Sequence, residues 1–240
     1  MTQDDFFGTV SDRERGLEMS AALPVLMRKV YSWMTLALVI TGFTAWGVAN
    51  SPALLQVIYG SKFALIALVV AELALVWSIS GRINKMQLST ATLLFALYSV
   101  LNGVTFASIF LVYTAASIAK VFFITAGTFG AMALVGYTTK RDLSKMGSIL
   151  FMALIGLVIA SLVNIFTHSS VLTTIISYVG VLIFVGLTAW DSQRIKEMLL
   201  MQEDAGETAQ KVALLGALTL YLDFVNLFIY LLRIFGNSRD

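Results

Sequence analysis

Seven long apolar segments restrict this chain to a small set of folds. They cover residues 30–49, 63–79, 88–112, 121–137, 146–166, 171–190 and 212–235. Each is close to or above the ~17–25 residues with which an α-helix crosses the hydrocarbon core of a bilayer. Only 12% of the residues are charged, whereas soluble domains carry about 25%. A membrane β-barrel would show short alternating segments instead. The sequence therefore predicts an all-α polytopic membrane protein with seven transmembrane helices.

The ends of the chain and its basic residues predict how the domain is organised and oriented. Residues 1–27 carry acidic side chains and no apolar run, which predicts a cytoplasmic tail rather than a signal peptide. The membrane domain then covers 28–236, and 237–240 form a C-terminal tail. Of the 16 lysines and arginines, twelve fall on one side of the spans and four on the other. The positive-inside rule predicts a cytoplasmic N-terminus and, with seven spans, an outside C-terminus. A re-entrant last segment would instead return the C-terminus to the cytoplasm.

Several function classes lack the residues they need. The chain has no cysteine, which excludes disulfides, thiolate metal sites and cysteine nucleophiles. Its net charge is only +2, with the basic residues scattered, so nucleic-acid binding has no support. A retinal protein needs a lysine in its last helix, and residues 212–235 contain none. We expect neither an enzyme nor a bound organic cofactor.

Two aspartates are placed where a membrane protein can hold them least easily. Asp191 closes the sixth apolar segment and Asp223 lies inside the seventh. A carboxylate at bilayer depth costs about 2.5–3.5 kcal/mol on insertion scales, so such a residue indicates a functional site. Asn226 lies three residues after Asp223, on the same helix face, and offers an amide oxygen. A polar clamp between helices is the structural alternative for Asp223.

The second segment supplies two further candidates, Glu72 and Arg82. They are ten residues apart, about 15 Å along a helix axis, and cannot pair with each other. Arg82 ends its segment on the same predicted side as Asp191, so an ion pair between them would bridge two helices. Alternatively, Arg82 extends to the lipid headgroups while Asp191 pairs with Arg194, one turn further on. Glu72 is a candidate support for an ion path.

An adjacent pair of aspartates would have a defined chemistry. Two carboxylates in a low-dielectric site cannot both ionise cheaply, so they titrate as a coupled pair and can sense pH. Ionised, Asp191 and Asp223 would offer the hard oxygen ligands that Ca²⁺ prefers. A tight calcium site uses about 6–8 oxygens, more than this pair provides. We therefore expect weak, transient calcium binding, which suits permeation.

Two families of membrane protein place aspartates on their sixth and seventh helices. Intramembrane aspartyl proteases have motifs that resemble Gly-x-Gly-Asp and Pro-Ala-Leu, and this chain has neither. The runs Gly-Leu-Thr-Ala-Trp-Asp-Ser-Gln-Arg-Ile at 186–195 and Leu-Thr-Leu-Tyr-Leu-Asp-Phe-Val-Asn-Leu-Phe at 218–228 instead resemble the Bax-inhibitor (transmembrane Bax inhibitor motif) family in its bacterial form. The resemblance extends from about residue 26 to residue 236.

The resemblance implies both a fold and an activity. The fold has six helices surrounding the seventh, and the activity is a pH-sensitive calcium leak governed by two aspartates, with an arginine of the second helix as a latch on one of them. The aspartates match Asp191 and Asp223, the arginine matches Arg82, and an acid of the second helix matches Glu72. The loop between the aspartates is longer here than in compact bacterial members, which leaves their relative height open.

The leading hypothesis is a pH-gated, calcium-permeable leak channel of the cytoplasmic membrane. Protonation of Asp191 would release Arg82 and free the second helix to move. The partners would be the lipid bilayer, calcium and protons. One rival is a proton-coupled transporter that uses the same acids as a relay. The other is a non-transporting protein that modulates a membrane-bound protease or a stress response, which the resemblance also allows.

Overall fold

The computed structural model of the protein describes residues 3–239, with side chains from residue 16 onward. It is helical throughout, with one 3₁₀ turn at Ile83–Lys85. The α-helices are α1 (Gln3–Ala49), α2 (Pro52–Tyr59), α3 (Lys62–Arg82), α4 (Leu88–Val112), α5 (Ala115–Thr138), α6 (Ser144–Thr167), α7 (Ser170–Leu200) and α8 (Glu207–Phe235). Seven of them, all except the short α2, are long and apolar enough to cross a membrane. The predicted all-α, seven-span fold is confirmed.

The N-terminal region is part of the helical bundle rather than a separate tail. The helix α1 continues without a break from Gln3 into the first span. Within this region Met19, Leu23 and Leu26 are buried and belong to the main hydrophobic core. The boundary between residues 27 and 28 stays a prediction of where the chain enters the membrane, and α1 crosses it as one helix. Hydropathy does not detect the helix before residue 28 because single buried residues, one helical turn apart, do not form an apolar run.

The sixth span is also longer than its apolar segment. The helix α7 continues beyond Trp190 to Leu200. In this extension Ile195 and Leu199 are buried, whereas Arg194 and Glu197 are exposed. Such an amphipathic pattern maintains a helix by burying one face, although its mean hydropathy is low. Asp191 thus lies within a continuous helix and not at a helix end.

The last helix crosses the full thickness of the bundle. At one end, the backbone N–H of Leu88, which begins α4, donates to the carboxylate of Glu207, which begins α8 (3.4 Å). At the other end, the N–H of Arg239 donates to the carbonyl of Val112, the last residue of α4 (2.8 Å). The two helices therefore run side by side over the 25 residues of α4, about 37 Å. This exceeds the ~30 Å hydrocarbon core and favours a complete seventh span over a re-entrant one.

Helix α8 is the most buried span. Inside the protein, 61% of its apolar window is buried, against 39% or less for the others. It packs mainly against α1, α4, α5 and α7, while α3 packs mainly on α4 and α6 mainly on α7. These contacts place four helices around α8, and α3 and α6 lie further out. The expected arrangement of six helices around the last is therefore not what these contacts show.

Two glycines mark the closest helix approaches. A Cβ added at Gly103 would lie 2.6 Å from the backbone oxygen of Thr41, so α1 and α4 are in near backbone contact there. A Cβ at Gly136 would collide with the backbone carbonyl of Ala189, which brings α5 against α7. Small residues commonly permit such approaches in membrane bundles. The second contact lies only two residues before Asp191.

Candidate functional site

The antiparallel pairing of α7 and α8 brings the two aspartates together. On one side of them, the ring of Phe184 stacks on that of Tyr230 with centroids 5.8 Å apart. On the other side, Ile195 fills space left by a glycine of α8. Between these contacts the buried carboxyl groups of Asp191 and Asp223 are neighbours across the α7–α8 interface. The pair that the sequence suggested as a unit is adjacent in space.

The aspartate pair is enclosed by protein. The exposed fraction is 7% for Asp191 and 4% for Asp223. The Oδ2 atom of Asp223 is buried and has no hydrogen-bond partner among the side chains and backbone described. The pair is therefore enclosed, and one of its carboxyl oxygens has no hydrogen-bond partner within the described residues.

Among the residues with described side chains, no basic group forms an ion pair with Asp191 or Asp223. Arg82 is exposed at the end of α3, and no ion pair between it and Asp191 occurs in the described part of the chain. The suggested Arg82–Asp191 ion pair is therefore not formed in this conformation, although the turn Ile83–Lys85, which follows Arg82, packs against α8. Arg194 is the cation whose charge acts on Asp191. Its guanidinium lies 5.2 Å from the centroid of the Trp190 ring, on the exposed side of α7.

Helices α5 and α1 fix the position of α7 next to the pair. The hydroxyl of Ser192 donates to the carbonyl of Ala133 in α5 (2.8 Å), and it lies 3.2 Å from the hydroxyl of Tyr31 in α1. The amide of Gln193 donates to the carbonyl of Arg141 (2.8 Å). The sequence interpretation did not assign Tyr31, Ser192 or Gln193 a role. The only indication in the sequence was that Ser192 and Gln193 directly follow Asp191.

The comparisons with known proteins agree with this architecture. The sequence model of the family described as "Inhibitor of apoptosis-promoting Bax1" matches residues 23–240. The chain belongs to this Bax inhibitor family. It is 54% identical to the inner membrane protein YbhL of Escherichia coli K12 over 221 residues, which cover 91% of this chain and 94% of that protein. It is 41% identical to the uncharacterized protein RP147 of Rickettsia prowazekii over 236 residues, with 98% and 99% coverage.

This Bax inhibitor family protein has a second buried polar cluster, on the other side of α8. The hydroxyl of Tyr221 lies 2.7 Å from that of Thr41 in α1 and 3.1 Å from the amide oxygen of Asn102 in α4. The amide of Asn102 also reaches the hydroxyl of Tyr98 (3.3 Å). All four side chains are buried. The cluster joins α1, α4 and α8 and was not predicted.

The two remaining candidates do not reach the aspartate pair. Glu72 is half-buried and accepts a 2.5 Å hydrogen bond from Thr105 in α4. Glu72 thus has its partner on another helix, α4, and not on α8, which carries Asp223. The amide of Asn226 donates to the carbonyl of Leu222 in its own helix (2.8 Å). Neither side chain therefore supports Asp223 in this conformation.

The oxygen ligands present limit what metal the site can hold. Within the described residues, no group of three His, Cys, Asp or Glu side chains is placed to bind a metal ion. Two carboxylates supply fewer than the about 6–8 oxygens of a tight calcium site. Asp191 and Asp223 therefore do not form a tight calcium site by themselves.

Replacing Tyr221 by phenylalanine should destabilise the protein. The change leaves the buried Thr41 hydroxyl and Asn102 amide oxygen without this partner, which costs about 1–3 kcal/mol. Thermal unfolding in detergent, followed by the fraction that remains monodisperse, measures the effect. The matched control is Tyr178→Phe, because Tyr178 is 55% exposed. Equal melting temperatures for the two variants would show that the cluster does not stabilise the bundle.

Proposed function

We propose that the protein is a pH-sensitive, calcium-permeable leak channel of the cytoplasmic membrane, gated by Asp191 and Asp223. The observation that supports this most strongly is the adjacent pair of buried carboxyl groups, which no ion pair among the described residues neutralises. An unneutralised acid pair inside a membrane bundle is costly, and hydrophobic helices can associate by packing alone. A role in moving a cation or a proton accounts for keeping it.

A proton shared by the two neighbouring carboxyl groups is the gate in this proposal, because a hydrogen bond between two carboxyl groups requires that one of them keeps its proton. With one proton between them, the carboxyl groups hold α7 and α8 together in the closed conformation. When the proton leaves, two unit charges ~4 Å apart repel by about 4 kcal/mol at an effective dielectric constant of ~20. The same two anions now attract a divalent cation. We therefore expect the path between α7 and α8 to open as the pH rises.

This mechanism differs from the one that the sequence suggested. Opening by protonation depended on an Arg82 latch, and the described conformation contains no such pair. In the proposed mechanism, the shared proton keeps the channel closed by holding α7 and α8 together. The membrane assignment draws on the E. coli relative, which is named an inner membrane protein. The cytoplasmic N-terminus rests on the distribution of lysine and arginine.

Calcium flux into proteoliposomes tests the proposal. Purified protein is reconstituted in vesicles that contain a calcium-sensitive dye, and the initial flux is recorded in steps from pH 6 to pH 8. We expect protein-dependent flux that rises over this range and does not saturate at low calcium. The absence of flux above that of empty vesicles at every pH would contradict the proposal. Saturable exchange of one solute for another would favour a proton-coupled transporter instead.

A further inference from the structure

A lateral groove separates α1 from α5 on the membrane-facing surface. Both helices pack against α7 and α8, and between them remains a cavity of about 650 Å³. Its walls include Pro24, Arg28, Tyr31, Thr35, Gly130 and Tyr137. Gly130 contributes directly to this space, because a Cβ added there would meet no atom within 4 Å. The groove is therefore a feature of the bundle surface that a small side chain on α5 keeps open.

The groove continues from Arg28 into the apolar part of the first span. It follows α1 from Arg28 to Thr35, about 10 Å of helix. Thr35 also lines a second cavity, of about 430 Å³, that continues along α1 to Trp46. The side chains along both cavities are mostly apolar. An acyl chain is the ligand that such a channel accommodates along its length.

One end of the groove carries positive charge. Arg28 lies just before the first apolar segment, is exposed, and has no ion-pair partner among residues 16–239. At Tyr137, which also lines the groove, the ammonium group of Lys196 lies 5.3 Å from the ring centroid and donates to the Tyr137 carbonyl (2.8 Å). Tyr31 and Tyr137 stand on opposite walls at this end. Tyrosine is typical of the membrane interface, and basic pockets between transmembrane helices bind anionic headgroups.

We propose that this groove binds one anionic phospholipid of the leaflet at the N-terminal end of the first span. The phosphate contacts Arg28, with Lys196 contributing to the local field, and one acyl chain lies between α1 and α5 along Gly130. Tyr31 is a wall of this site and is also the α1 contact of Ser192, the neighbour of Asp191. The bound lipid would thus lie against the helix that fixes the α7 side of the aspartate pair. The binding site itself does not depend on the proposed leak activity.

Native mass spectrometry of the detergent-purified protein tests this site. Phosphatidylglycerol is the anionic probe, and phosphatidylcholine with the same acyl chains is the zwitterionic probe. Each lipid is titrated separately. We expect one preferred phosphatidylglycerol per protein. In Arg28→Gln its affinity should fall about five-fold, the factor for one basic residue at an anionic surface, with phosphatidylcholine unchanged. Gly130→Leu should reduce the binding of both lipids because it fills the groove.

The matched control is Gly156→Leu in α6. Gly156 is exposed, and a Cβ there would also meet no atom within 4 Å, so the same side chain is added away from the groove. This variant should bind lipid as the wild type does. Equal affinity of the wild type for both lipids would overturn the proposal, as would wild-type binding in both Arg28→Gln and Gly130→Leu. A peptide or a second copy of the chain retained on the wild type, in place of lipid, would also overturn it.

Discussion

Replacing both Asp191 and Asp223 by asparagine is expected to abolish the pH response of calcium flux between pH 6 and pH 8. The same variant should reduce the flux at pH 8 about ten-fold or more. A divalent cation that loses even one carboxylate contact loses several kcal/mol at an effective dielectric constant of ~20, and 1.4 kcal/mol already corresponds to a factor of ten. Asparagine keeps the size of the side chain and its hydrogen-bonding capacity, so the change removes mainly charge and titration.

The single variants sharpen this expectation. In a pair that shares one proton, the response belongs to the pair rather than to either residue. Asp191→Asn and Asp223→Asn should each remove the pH response, and the double variant should show little further loss. Such non-additivity is the signature of residues that act as a unit. Independent, additive losses in the two single variants would contradict a shared proton.

Asp142→Asn is the matched control for these measurements. Asp142 is an exposed residue of the loop between α5 and α6. Hydrogen bonds from Ser144 lower the pKa of its carboxyl group below the usual value, so it stays ionised throughout pH 6–8. This variant should show wild-type flux and a wild-type pH profile. If the double variant Asp191→Asn, Asp223→Asn behaved like this control, the gating mechanism would be wrong.

Most of the fold could be predicted because hydropathy reports how much apolar surface a helix exposes to lipid. The third apolar segment, 88–112, coincides with α4. The errors occurred where a helix leaves the hydrocarbon and buries only one face, as in α1 before residue 28 and in α7 beyond Trp190. In these segments the buried apolar residues are separated by a helical turn. A search for continuous apolar runs therefore does not detect the helix. The helix α2 was also missed, because its eight residues are too few to form a span.

The candidate site could be predicted only in part. Asp191 and Asp223 were identifiable because a buried carboxylate in a membrane segment is rare and costly. The Arg82 latch depended on which helices are neighbours, and segment order does not determine that. Tyr31 and Tyr221 form their contacts through the packing of α1 and α8. The residues next to them in the sequence do not distinguish them from other aromatic residues of the spans. Pairwise helix packing is thus the information that the sequence pattern lacked.

Small residues illustrate the same limit. Small residues four apart, a spacing typical of close helix packing, include Gly103, Gly127, Gly130 and Gly156. Only Gly103 has a backbone from another helix against it, while a Cβ at the other three would meet open space. Gly136, which no spacing pattern selected, makes the tightest approach of α5 to α7. A small residue permits close packing, but only the neighbouring helix shows whether that space is used.

Gly136→Ala should therefore be among the most damaging single substitutions in the chain. The added Cβ would occupy the position of the Ala189 carbonyl, and a backbone atom cannot move aside as a flexible side chain can. Overpacking of this kind costs about 1–3 kcal/mol or more. If the added Cβ pushes α5 away from α7, it would also strain the hydrogen bond from Ser192 to Ala133 (2.8 Å). We expect a lower melting temperature in detergent and a lower yield of monodisperse protein.

Gly130→Ala provides the control on the same helix. A Cβ at Gly130 meets nothing within 4 Å, and alanine is the better helix former by about 1 kcal/mol, so this variant should be as stable as the wild type or more so. If Gly136→Ala melted at the same temperature as Gly130→Ala, the close approach of α5 to α7 would not exist in the membrane protein. If it folds but melts lower, its calcium flux can be measured directly. An altered pH profile in that variant would then show that the α5–α7 contact positions Asp191 next to Asp223.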